Sequence, residues 1–254
     1  MAGGKTLTPK DVIYWYDGSY EGFLCCVFQC YQNRERPCDI WQLCRPETSL
    51  FPQTEILTDP VRAARVEASI RKMGQGVRRL MMYGFLHDSD GKELKLLRFL
   101  ELCYQEGPRV MGQLAHPDVA AVMELEQQVS HEACKYREVL RFQEREGMLG
   151  AVIRPHHCVL PLLQNHFCDR LPEEDFVIFD NSHCLALLKR GKRVEYLEFQ
   201  EPVILPTPEA QEKQYQEMWK AFFRALTIEE RRNYALQRSN LPKRYWEYMV
   251  EMQD

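Results

Sequence analysis

Met148-Leu149-Gly150-Ala151-Val152-Ile153 decides how this chain is read, because the pattern of the sequence changes there. Just beyond Glu146-Gly147, a short apolar run of strand length replaces a long three-and-four-residue periodicity. Val159 to Cys168 then predicts a helix, and Phe176 to Phe179 a second strand. Cys184 to Leu188 and Val194 to Phe199 predict two more strands, joined by Lys189-Arg190-Gly191-Lys192 as a hairpin with glycine in the turn. Pro202, Pro206 and Pro208 make a stiff connector before a last helix, Gln211 to Leu226.

Upstream of that stretch the periodicity is helical. From His116-Pro117-Asp118 onward, Val122, Leu125, Val129, Glu132, Tyr136 and Leu140 mark one face of a long helix. Glu132 is the one member that breaks this apolar face. Helices are also expected from Thr58-Asp59-Pro60 to Met73, from Val77 to Leu86 and from Glu93 to Gln105. Asp or Thr accepts free N–H groups at a helix start, and Pro needs none. At the N-terminus, Val12-Ile13-Tyr14-Trp15-Tyr16 reads as a strand, and Asp17-Gly18-Ser19 turns the chain into an apolar helix, Tyr20 to Tyr31. Short strands are expected at Ile40 to Arg45 and Glu55 to Leu57. The fold class is therefore α+β: N-terminal strands, a central helical block, and a C-terminal β-hairpin within a mixed sheet. One domain is expected over residues 1–254, with blocks at 1–58, 59–145 and 146–254. No flexible Gly/Ser linker separates them.

Composition narrows the function classes. The chain has 254 residues, 45% hydrophobic and 28% charged, with a net charge of -4. That mild acidity excludes a general nucleic-acid coat and leaves only local basic patches. No apolar run approaches the roughly 18 residues of a membrane span, so no membrane partner is expected. Ten cysteines and no secretory signal point to a reducing, cytoplasmic setting without disulfides.

Among candidate sites, His156, His157, His166, Asp169 and His183 are the densest group of ligand-type side chains. His166 and Asp169 share a helical face, and His157 stands on the loop before it, so the three form a candidate catalytic set. The zinc pair spacings His-x₃-His and Cys-x₂-Cys are absent, and no metal is assigned. Cys25, Cys26, Cys30, Cys38 and Cys44 sit in or near an apolar helix and read as core. Gly74-Gln75-Gly76, flanked by Arg62, Arg65, Arg71, Lys72, Arg78 and Arg79, has the form of a phosphate-facing hairpin between helices, or of a plain helix break. The Asp88-Ser89-Asp90-Gly91 turn lacks the later oxygen ligands of a calcium loop. Tyr16-Asp17-Gly18-Ser19 suits an anion-holding turn or a capped strand-to-helix turn.

The C-terminal phrase carries the strongest basic signal. Between Lys220 and Glu247, the cations Lys220, Arg224, Arg231, Arg232, Arg238, Lys243 and Arg244 face only Glu229, Glu230 and Glu247. Tyr245 and Trp246 follow the last cations directly. Cations beside rings suit a phosphate backbone with an exposed base; the same letters also suit a solvated helix whose rings pack inward.

Several phrases taken together resemble the bacterial family described as a "probable DNA metabolism protein". They are Tyr16-Asp17-Gly18-Ser19-Tyr20-Glu21-Gly22, Thr58-Asp59-Pro60, Leu97-Arg98-Phe99, Leu140-Arg141-Phe142, and Leu160-Pro161-Leu162-Leu163 with His166-Phe167-Cys168-Asp169-Arg170-Leu171-Pro172. Ile228-Glu229-Glu230-Arg231-Arg232-Asn233 and Leu241-Pro242-Lys243-Arg244-Tyr245-Trp246 complete the series. The resemblance spans nearly the whole chain. It implies DNA repair or modification beside a radical-SAM protein, in a family some of whose members are fused to a uracil-DNA glycosylase-type domain. It supplies no reaction.

The chain is not the radical enzyme itself: Cys26 and Cys30 match the first step of C-x₃-C-x₂-C, and Asn33 stands at the third. No Walker-type loop, Rossmann fingerprint or Gly-x-Ser-x-Gly elbow is present. The leading expectation is a DNA-metabolism accessory protein that binds DNA and acts with a radical-SAM partner, with no cofactor of its own. Its expected contacts are Arg141, Arg170, Arg231, Arg232, Lys243, Arg244, Tyr245 and Trp246. The alternatives are a hydrolase or nucleotide-processing enzyme centred on His157, His166 and Asp169, and a subunit that touches only protein.

Overall fold

The computed structural model describes residues 7–43, 49–145, 147–205 and 210–253. Cys44 and Arg45, at the end of the strand expected from Ile40, lie outside the described residues, as do Pro206 and Pro208 of the connector. The fold is α+β, and the chain divides into two compact units, residues 1–129 and 130–254.

The N-terminal unit is built on β1 (Thr8–Tyr16), α1 (Tyr20–Asn33), β2 (Glu35–Gln42) and β3 (Gln53–Glu55). Both neighbours run parallel to β1, in the order β2-β1-β3, and α1 is the crossover between β1 and β2. The β-branched and aromatic run fills the buried half of β1, while the strand extends back to Thr8 through exposed positions that alternation does not mark. Ser19 caps α1 by accepting the Gly22 N–H at 2.9 Å, and Asp17 in turn accepts from the Ser19 N–H and hydroxyl. Thr58 donates to the other Asp17 oxygen at 2.6 Å. A Cβ on Gly22 would stand 2.2 Å from that carboxylate, so only glycine fits under the turn.

Three more helices follow in this unit, α2 (Pro60–Lys72), α3 (Gln75–Phe85) and α4 (Lys92–Glu106). Asp59 caps α2, accepting from Val61 and Arg62 N–H groups, as the Thr-Asp-Pro phrase predicts. Gly74 separates α2 from α3 at φ 104°, a conformation that suits glycine and stops the helix. Cys25, Cys26 and Cys30 are buried on α1, in the core with Phe23, Leu97 and Phe99.

Glu35 is a buried acid in this unit, 8% exposed, at the start of β2. It accepts from Lys10 and Tyr14, each at 2.5 Å, and from Asn33 at 3.0 Å. Burial alone would raise its carboxyl; the hydrogen bonds from Asn33, Lys10 and Tyr14 outweigh burial and hold it at about 2. Its folded value lies below the unfolded one, so its contribution is complete above about pH 4.3 and is lost as pH falls toward 2. Urea unfolding across that window is expected to show a loss of about 3 kcal/mol that Glu35→Gln removes. An unchanged acid limb in the variant would contradict this account of Glu35.

The last turns of α5 (Pro117–Val139) open the second unit. The expected apolar face is buried in full: Val122, Leu125, Val129, Glu132, Tyr136 and Leu140 are each at most 4% exposed. Next come β4 (Gln143–Arg145), β5 (Met148–Ile153), α6 (Leu160–Arg170), β6 (Phe176–Asp180), β7 (Leu185–Arg190) and β8 (Arg193–Glu198). The strands form one sheet in chain order, with β5 and β6 parallel around α6 and every other pair antiparallel. The β7–β8 hairpin is tighter than its sequence predicts. Arg190 pairs with Arg193, so Gly191 and Lys192 alone make the turn, with Gly191 at φ 55° and its N–H held by Asp175 at 2.7 Å. A polar edge strand (β4) has no apolar period and was not expected from the sequence, while a short exposed helix, α8 (Tyr234–Asn240), capped by Asn233, falls within the C-terminal phrase that also suits a solvated helix. Between them in the chain lies α7 (Ala210–Leu226), and 3-10 turns at Lys243–Tyr248 and Val250–Met252 close the described chain.

Candidate functional site

The second unit contains a cleft of about 700 Å³. Arg141 follows α5, Arg154 follows β5 and Arg170 closes α6, and all three line it. Its aromatic lining comes from Phe142, Tyr215 and Trp219, which lie one turn apart on α7, and Tyr248 in the C-terminal 3-10 turn. Phe142 is anchored edge-on to Phe167 and Phe176, with ring centroids 5.3 and 5.7 Å away. Tyr215 and Trp219 are 57% and 41% exposed. Their stripe continues along α7 with Phe222 and Leu226, the face opposite the charged side that helical spacing predicts.

The three arginines differ in how firmly they are held. Arg141 donates to the carbonyls of Glu138 and Leu140 at 3.1 and 3.3 Å, and its other nitrogen lies 3.5 Å from Glu251. The second Glu251 oxygen is buried without a hydrogen bond. Arg154 lies 3.2 Å from Glu247, both side chains about half exposed, while its backbone N–H donates to the Tyr248 hydroxyl at 3.0 Å. Burial, then the neighbouring Glu247, pushes that phenol up to about 12. Arg170 is exposed and makes no hydrogen bond or ion pair among the described residues. The cleft thus offers one unpaired guanidinium, two guanidinia each sharing a carboxylate, and exposed rings.

His157, His166 and Asp169 do not line this cleft. The backbone N–H groups of His156 and His157 are held by the Glu132 carboxylate at 3.0 and 2.8 Å. His166 packs edge-on to Phe167 at 4.9 Å, and its Nε2 is buried without a hydrogen bond. Burial first, then the positive charges of Arg137 and Arg170, lower its pKa, so the ring is neutral at pH 7. Asp169 is exposed on α6. His183 is brought instead to Asp180, with Nδ1 2.7 Å from a fully buried carboxylate oxygen. The three-residue spacing at the end of a strand was the available signal for that pair. Among the described residues, no group of three or more His, Cys, Asp or Glu side chains is placed to hold a metal.

The C-terminal phrase divides between surface and core. Arg231, Lys243 and the paired Arg232 are exposed; Arg232 lies 2.9 Å from Glu229. Arg244 reaches back to Glu132 at 3.3 Å and donates to the Tyr245 hydroxyl at 2.7 Å. Tyr245 is 1% exposed, edge-on to Tyr136 at 5.4 Å. Trp246 is half-buried, its indole N–H donating to the Leu241 carbonyl at 2.9 Å, with the Lys243 ammonium 5.9 Å from its ring. In the N-terminal unit, Arg71 and Arg78 share Glu67, Arg79 pairs with Glu126, and Arg62 and Arg65 lie over the Phe28 ring. Those cations around Gly74 are largely committed within the fold.

Residues 90–251 match a domain family, DUF4130, described as a domain of unknown function. The chain belongs to the DUF4130 family. The DUF4130 span takes in every residue lining the cleft except Gln253. No match is found among curated proteins or among solved structures. Among the described residues, no helix is long and apolar enough to cross a membrane.

Proposed function

We propose that this chain is a cytoplasmic accessory protein of DNA metabolism that binds nucleic acid in the cleft of residues 130–254 and acts beside a radical-SAM partner. One observation carries the binding reading. Arg141 and Arg170, drawn from two separate sequence phrases, line one cleft together with Arg154 and four aromatic rings. Guanidinium groups neutralise phosphates and release counterions, and rings stack on bases, so this combination suits a nucleic-acid strand better than an uncharged ligand. Glu138, Glu212 and Glu247 line the same cleft, so the reading rests on the guanidinium groups and rings themselves and not on a net positive charge there. The pathway and the radical-SAM partner rest on the order of phrases that resemble the DNA-metabolism family, from Tyr16-Asp17-Gly18-Ser19 to Lys243-Arg244-Tyr245-Trp246.

Fluorescence anisotropy with a labelled oligonucleotide, at a series of salt concentrations, tests the binding reading. Arg170→Ala removes an exposed, unpaired cation and leaves stability within about 0.5 kcal/mol. The slope of log affinity on log salt is expected to fall by about 0.7–0.9 in that variant. Unchanged affinity and slope in an Arg154→Ala, Arg170→Ala double variant would exclude the cleft as the DNA site.

A further inference from the structure

Resting on the nucleic-acid reading, we infer that the cleft takes an unpaired base of a single strand, stacked on Trp219, with the adjoining phosphates on Arg170 and Arg154. A duplex keeps its bases stacked inside and offers phosphates and groove edges to a protein surface. The rings lining the cleft would meet only that backbone and those groove edges. The cleft volume of about 700 Å³ falls in the range of about 300–1,000 Å³ that encloses a small ligand, the scale of one or two nucleotides. Trp219 and Tyr215 expose flat surface to this space, and the unpaired Arg170 lines the same space. A base with its phosphate is the occupant that uses the rings and the cation together.

The acidic side of the cleft makes the inference sharper. Glu247 lies on Arg154, and Glu251 on Arg141, so two of the three guanidinia are neutralised within the fold. Glu138 is tied to Lys135 at 3.0 Å. An entering phosphate competes with Glu247 for Arg154, so this carboxylate opposes binding. Its removal strengthens binding, an outcome that a purely structural role for Glu247 does not produce.

The experiment compares oligo-dT, a blunt duplex of equal length, and dTMP with the full chain, following tryptophan fluorescence and anisotropy. Oligo-dT is expected to bind more tightly than the duplex. Trp219→Leu, which keeps an apolar helix-forming side chain, is expected to weaken oligo-dT binding about tenfold, the effect of one lost base–ring stack. Glu247→Gln is expected to tighten it about threefold, the scale of one exposed ion pair. Duplex bound as tightly as oligo-dT, with Arg170→Ala weakening both and Trp219→Leu weakening neither, would overturn the single-strand inference and leave the nucleic-acid reading standing. Equal affinity for dTMP and oligo-dT would overturn the strand as the occupant. Failure of all three ligands to bind would overturn both readings and turn the aromatic cleft toward a protein partner.

Discussion

Glu132→Ala is expected to destabilise the C-terminal unit by about 2–4 kcal/mol, the penalty for leaving two backbone N–H groups without their acceptor. The Glu132 side chain is 3% exposed, and both oxygens are in use. One accepts the His156 N–H at 3.0 Å and faces Arg244 at 3.3 Å; the other accepts the His157 N–H at 2.8 Å. Alanine leaves those N–H groups without an acceptor and takes the ionic partner from Arg244. Glu132→Gln keeps the shape but offers one oxygen to two donors, and is expected to cost about 1–3 kcal/mol. Urea unfolding, with hydrogen exchange followed on peptides from 130–254, measures both. A loss below about 1 kcal/mol for alanine would show that Glu132 is not the clamp of the 155–157 loop.

Tyr245→Ala is expected to cost about 3–5 kcal/mol of stability, the usual penalty for an aromatic cavity, and to leave the DNA affinity of the folded fraction unchanged. Its ring is buried against Tyr136, and its hydroxyl accepts from Arg244. Burial first raises its pKa, against the lowering effect of Arg244, so the phenol stays protonated at neutral pH. A base cannot reach such a ring without unfolding the turn that holds it. Denaturant unfolding paired with anisotropy on the same samples separates the two effects. Normal stability with lost DNA binding would restore Tyr245 as a contact.

Much of this architecture is visible in the residues. β5, α6 and β6 follow from β-branched runs and a change of period, and Ser19 and Asp59 cap the helices their phrases predict. The hairpin was harder, since Lys189 and Arg190 look like turn residues. Lys189 is in fact buried, its ammonium donating to the carbonyls of Pro172 and Glu174. β4 escaped because Gln143, Glu144 and Arg145 carry no apolar alternation; their strand exists by pairing with β5.

The site was legible only in pieces. Arg141 and Arg170 stood in recognisable phrases, but Arg154 is one cation after a strand, and nothing local aims Tyr215 and Trp219 at it. Charge density along the chain also misleads: it counts Arg244 as available, whereas the fold commits it to Glu132, more than a hundred residues earlier in the chain. Glu132 was the useful anomaly. A buried acid on an otherwise apolar helical face has to meet donors, and it does, in the His156 and His157 N–H groups and Arg244.

Photocrosslinking addresses the central claim most directly. A single-stranded oligonucleotide carrying iododeoxyuridine, irradiated with the full chain and mapped by mass spectrometry, reports which rings touch bases. Adducts on peptides containing Tyr215, Trp219 or Tyr248 are the predicted result. Adducts confined to residues 7–129, or to 231–246, would contradict the cleft as the place where this chain holds nucleic acid.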